Sequence, residues 1–195
     1  MSRPPAALAA ALVMGAAALV AGAAGCRKQE AAPPPEPAAV RVEHPASGLA
    51  VAALPRALRL VSADGALLEL APTDAARGGR FTVAAGPPEP GGINLVELTR
   101  TAGAELAARP EGAFLGQREM IAPWGPAFSA RGTYLENGER REELRIFTLH
   151  PDRSVDRLVT LTYVYPAGDR EESGARFNEG LLVLGELEPL PPPAG

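Results

Sequence analysis

The pair Asn137-Gly138 lies within Glu136-Asn137-Gly138-Glu139, between an alternating run at residues 127–135 and a second at 142–149. Both central positions of a type I′ turn need a positive φ, which Asn and Gly accept more readily than other residues. The pair therefore predicts a two-residue hairpin and places this part of the chain in an antiparallel sheet. Phe128, Ala130 and Gly132 alternate with Ser129, Arg131 and Thr133, the pattern of a strand with one buried and one wet face.

The flanking sequence supplies further elements. Residues 49–54 and 58–61 are short apolar runs parted by Pro55, as at an edge strand or a break. Asp64-Gly65 predicts a hairpin between 58–61 and 67–70, and 81–85 reads as a strand entering the loop Pro87-Pro88-Glu89-Pro90. Leu95, Leu98, Ala102 and Leu106 recur at helical spacing, predicting a helix over 93–108 with Asn94 as cap and Pro110 as stop. The Ile, Val and Thr content of 93–99 leaves a strand reading open there. Residues 114–122 predict another strand, broken by Pro123-Trp124-Gly125-Pro126. After a loop at 150–156, residues 158–165 have the β-branched and aromatic content of a central strand. Asp169 and Glu172 then cap a closing helix whose Phe177, Leu181, Leu184 and Leu187 form one apolar stripe toward the sheet.

Strands, a helix, a run of antiparallel strands and a closing helix define an α+β domain, an antiparallel sheet with helices packed on it. The helix after 81–85, the Asn137-Gly138 hairpin and the 177–187 segment directly after the best strand give an element order that resembles the PsbP-like αβα sandwich. That resemblance implies a binding or assembly module rather than an enzyme. It assigns no functional residue.

Residues 1–25 read as a secretory signal: Arg3 is the positive start, residues 6–24 are an uncharged Ala/Leu/Val run, and small residues lead to Cys26. Ala23-Ala24-Gly25-Cys26 resembles the bacterial lipobox, with Ala23 where the pattern usually has leucine, and the only cysteine of the chain falls on the modified position. The resemblance implies cleavage between Gly25 and Cys26 and acylation of Cys26, so that membrane lipid is the first partner. A single-pass anchor and an ordinary cleaved signal are the two other readings of the same run. All three export the rest of the chain. Arg27 rather than aspartate follows the cysteine, which favours the outer membrane, facing the periplasm.

Residues 26–47 are then the lipidated cysteine and a Pro/Ala-rich tether, expected to be extended and without regular structure, with His44 solvated in it. The α+β domain is expected over 48–189, and 190–195 is a tail of the same irregular kind.

Composition removes several function classes. Of the 19 basic residues only Lys28 is lysine, and it sits in the tether, so a P-loop and Schiff-base chemistry are both excluded. A net charge of −4 gives no nucleic-acid footprint. One cysteine rules out a disulfide framework, and no nucleophile elbow, zincin or dinucleotide motif occurs. No catalytic residue and no cofactor are expected. His150, Asp152 and Asp156 share one loop, which reads either as a polar turn or as a weak metal site. Glu139-Arg140-Arg141-Glu142-Glu143 reads as a solvated face or a charge-protected edge, or else as a partner-binding edge carried by Arg140 and Arg141. Trp124, between two prolines, either lies buried over a sheet end or marks an interface. The combined expectation is a lipid-anchored envelope protein presenting a non-catalytic domain to an envelope protein partner. A small-ligand or metal pocket between sheet and helix is the alternative.

Overall fold

The computed structural model describes residues 39–191 apart from 153 and 155. The signal, Gly25, Cys26 and most of the tether lie outside the described residues. Ten strands and two α-helices follow in order, with one short 3-10 helix. They are β1 (Val42–His44), β2 (Leu49–Val51), β3 (Leu58–Ser62), β4 (Leu68–Pro72), the 3-10 turn Ala75–Arg77, β5 (Arg80–Pro88) and α1 (Leu95–Ala108). Then come β6 (Ala113–Ala122), β7 (Gly125–Glu136), β8 (Glu139–Leu149), β9 (Arg157–Pro166), α2 (Arg170–Gly185) and β10 (Leu187–Pro189).

Seven strands form one sheet in the order β3-β4-β5-β9-β8-β7-β6, with every neighbouring pair antiparallel. The strand expected to be central, β9, is the fourth of the seven. The β7–β8 hairpin closes with Glu136 opposite Glu139, and Asn137 and Gly138 take φ of 52° and 80°, as a type I′ turn requires. A smaller sheet, β1-β2-β10, completes the fold.

Helix α1 packs on β6, β7 and β8, whereas α2 packs on β8 and β9. Their buried partners sort onto opposite faces. Leu95, Ala102 and Leu106 of α1 join Ala130, Tyr134 and Phe147, while Val183 and Leu184 of α2 join Leu144, Ile146, Leu161 and Tyr163. This is the expected α+β sandwich. Gly132 lets α1 approach closely, since a Cβ there would stand 2.8 Å from Leu106 Cβ. Asn94 caps α1 by accepting from Glu97 N, and Asp169 caps α2 by accepting from Glu171 N and Glu172 N.

Four expectations are corrected. The fold begins before residue 48: β1 pairs with β2 inside the stretch expected to be tether, because an antiparallel partner satisfies its backbone. His44 is 0% exposed rather than solvated, with Nε2 2.9 Å from Gly65 O and Nδ1 2.8 Å from Ser47 Oγ. The expected wet face of β7 is only partly wet, since Ser129 is buried while Arg131 and Thr133 are half-exposed. Leu187 belongs to β10 rather than to α2. The face α2 buries also holds Ser173, Arg176 and Glu179, so the helix is not docked by an apolar stripe alone.

Candidate functional site

Consecutive residues of a strand point to opposite faces. In β8 this rule splits two carboxylates, Glu142 at 2% exposure and Glu143 at 3%, between the two helical layers. Neither is solvated, and β8 is not an edge, so the reading of 139–143 as a wet face or protected edge holds for exposed Glu139 and Arg140 and is corrected for Glu142 and Glu143. The edges are β3 and β6.

On the α2 side, Glu142 accepts from Tyr165 Oη at 2.8 Å and from Ser173 Oγ at 2.6 Å, with Arg131 Nε 3.4 Å away. Tyr163 Oη donates to Glu179 at 2.8 Å and accepts from Arg176 Nη1 at 2.6 Å. Arg176 is 0% exposed, and its Nη2 reaches Arg77 O at 2.8 Å. Arg77 Nη1 closes the set on Glu179 at 2.8 Å. The Tyr163 and Tyr165 rings meet edge-on at 4.8 Å, beneath the Arg176 guanidinium. Burial, followed by its bond to Glu179, pushes the Tyr163 phenol up to about 12. Burial and Glu142 push Tyr165 higher still. Apart from Arg176 Nε, which is buried without a hydrogen bond, these groups are occupied by one another, and together they fasten α2 to the sheet.

On the α1 side, Glu143 accepts from Arg145 Nε at 2.5 Å, Arg109 Nη1 at 2.7 Å and Tyr134 Oη at 3.1 Å. Arg109 lies 4.2 Å over the Tyr134 ring. Burial, then the Glu143 charge, pushes Tyr134 up to about 12. This cluster is not sealed. It forms one wall of a cleft of about 600 Å3 whose other walls include Arg80, Arg141, Glu136, Thr162 and Val164.

Strand register explains the gathering, because cross-strand partners share a face. Arg80 of β5 stands opposite Val164, Val164 opposite Glu143, and Arg141 opposite Tyr134. Helix α1 covers β6 to β8 and leaves this side of β5 and β9 open, so Thr82, Thr160, Thr162 and Val164 are half-exposed. Arg80 is exposed and has no hydrogen-bond or ion-pair partner among the described residues. Arg141 Nη2 pairs with Glu139 at 2.6 Å, while its buried Nε lacks a hydrogen bond and has the Glu136 carboxylate 3.7 Å away.

The residues singled out from the sequence fall in four places. Arg141 lines the cleft, and Arg140 points elsewhere, toward Glu111 at 3.7 Å. Trp124 is half-buried at the rim of the α2-side core, its indole N–H donating to Leu149 O at 2.8 Å. His150 is buried; Nδ1 accepts from Asp152 N at 3.1 Å, which leaves Nε2 to donate to Ser47 O at 3.2 Å. Burial, then the nearby Arg157 charge, lowers its pKa. Asp152 turns to Ser154 N at 2.9 Å, and Asp156 is exposed. Among the described residues no group of three His, Cys, Asp or Glu side chains converges as a metal site would require. Arg80 and Arg109 were not singled out. The only sequence signal for them is the placement of Arg80 at the start of a strand that proved to pair with β9.

No protein-family model matches the chain, and no curated protein sequence matches it. Solved structures do. LpqN, involved in cell envelope biogenesis of Mycobacterium tuberculosis, is similar with a TM-score of 0.51 and 16% identity over 71% of this chain and 81% of LpqN. The cyanobacterial PsbP of Synechocystis is similar with a TM-score of 0.52 and 9% identity, covering 77% of this chain and 91% of that one. The Ran-binding protein Mog1p of Saccharomyces cerevisiae gives 0.50 and 10%, over 78% and 96%. At these identities the likeness defines the fold, and the PsbP-like sandwich expected from the element order is that fold.

Proposed function

We propose that this chain is an exported envelope protein, anchored to membrane lipid through acylated Cys26, whose α+β domain is a non-catalytic module binding another envelope protein. Two or three acyl chains would hold it durably, at about 0.8 kcal/mol per buried methylene. The tether would set the domain off the surface, on the periplasmic side of the outer membrane. The observation that carries the binding role is the side of β5 and β9 that α1 leaves half-exposed, with its arginine-rimmed cleft. Support also comes from the shared fold: LpqN acts in envelope biogenesis and Mog1p binds Ran. Among the described residues no helix is long and apolar enough to cross a membrane.

Mass spectrometry of the mature amino terminus, from protein made in a bacterial host and extracted from its envelope, tests the anchor. A peptide beginning at diacylglyceryl-modified Cys26 is the expected result. An unmodified chain beginning elsewhere, or an uncleaved one, would refute it. The second reading, a small-ligand domain, is favoured by the size of the cleft between α1 and the open strands.

A further inference from the structure

We infer that the cleft walled by Arg80, Arg109 and Arg141 is a binding site for a carboxylate monoanion. The inference rests on the reading of the domain as a binding module and names the chemistry it recognises. Three guanidinium groups and two carboxylates, Glu136 and Glu143, line the cleft; Arg109 is paired with Glu143 and Arg141 with Glu139, so Arg80 is the guanidinium without a counter-charge. Glu143 is already saturated by Arg145, Arg109 and Tyr134, so it holds the arginines in place and its charge is offset by theirs.

One open donor, on Arg80, remains to receive an anion, and a second, buried one lines the same cleft. Arg80 is exposed and unpaired among the described residues, with its whole fork available. Arg141 Nε lacks a hydrogen bond although it is shut off from water, a state that normally costs free energy. A planar carboxylate matches the guanidinium fork through two parallel hydrogen bonds. Thr162 adds a hydroxyl, and Val164 with the Tyr134 ring offers apolar contact for whatever carries the carboxylate. Glu136, paired only loosely with Arg141 at 3.7 Å, disfavours a second negative charge, which selects a carboxylate over a phosphate. The carboxylate could belong to a free organic acid or to an acidic side chain of a peptide, and the two sources are separable by experiment.

The test follows the arginine Nε–H resonances of the folded chain in NMR titrations with benzoate, benzamide, inorganic phosphate and a capped glycine-flanked glutamate peptide. Saturable shifts of Arg80 and Arg141 with benzoate and none with benzamide are expected. Arg80→Gln, at an exposed position free of other contacts, should weaken benzoate about tenfold, as loss of one charged hydrogen-bonding partner does. Arg100→Gln, on the outer surface of α1, should leave it unchanged. Peptide binding that matches benzoate assigns the source to an acidic side chain, and benzoate binding without it assigns a free acid. No saturable shift with benzoate, tighter binding of phosphate, or an undiminished affinity in Arg80→Gln would overturn the inference. Any of these would leave the anchor and the protein-partner reading to be decided by their own experiments.

Discussion

Glu142 and Glu143 are neighbours in one strand, yet each is buried in a different layer of the sandwich and neutralised by its own set of arginine and tyrosine donors. An interior strand carrying two adjacent carboxylates is costly unless both are fully paired. Here the pairing turns the cost into specificity: Glu142 meets the helix α2 donor Ser173, and Glu143 orders the arginines at the end of α1.

Glu143→Gln removes the charge while nearly keeping the shape. Two arginines and a phenol then compete for one amide oxygen, and stability should fall by about 2–3 kcal/mol. Glu105→Gln breaks the other carboxylate contact of Arg145, but Glu105 is exposed, so the loss should stay below about 1 kcal/mol. Urea denaturation followed by circular dichroism compares the two.

All three tyrosines, Tyr134, Tyr163 and Tyr165, are buried and have raised pKa values. The folded state thus favours the neutral phenols. Their contribution to stability is complete below pH 10, where the unfolded phenols begin to ionise, and is lost as pH rises from there through about 12. Absorbance at alkaline pH should show no tyrosinate in the folded chain at pH 10, with ionisation and unfolding appearing together above it.

His150 works in the opposite direction. Its pKa is lowered from 6.5, so the folded state favours the neutral ring that accepts from Asp152 N. Stability is complete above pH 6.5 and declines as pH falls below it toward the depressed folded value. The melting temperature of the wild type should therefore drop more between pH 7.5 and 5.5 than that of His150→Gln, which cannot take up the proton.

Gly132→Ala would press a methyl group into Leu106 and the Ala113 carbonyl and should destabilise by about 1–3 kcal/mol. Gly174→Ala meets no atom within 4 Å on α2 and should stabilise by up to about 1 kcal/mol. Thermal melts of the two variants should move apart in sign.

The elements legible in the sequence were those with local causes. The Asn137-Gly138 turn, the Asn94 and Asp169 caps and the composition of β9 all act within a few residues. His44 was read as tether because the β1–β2 hairpin that holds it carries no strong turn signal and the Gly65 carbonyl it meets is 21 residues away. Glu142 and Glu143 read as surface because charge usually means solvent, and only the register shows the tyrosines and counter-charges that meet them. The cleft was invisible for the same reason. Arg80, Arg109 and Arg141 come from three separate segments, and no spacing rule connects them.

Site-specific photo-crosslinking in living cells tests the central claim most directly, with the reactive side chain placed at Thr82 or Thr162 on the open face and, as control, at exposed Leu182 on α2. A discrete adduct with one envelope protein from the open-face positions and none from Leu182 is expected. Adducts from Leu182 alone, or the same pattern from all three positions, would contradict a binding role for that face.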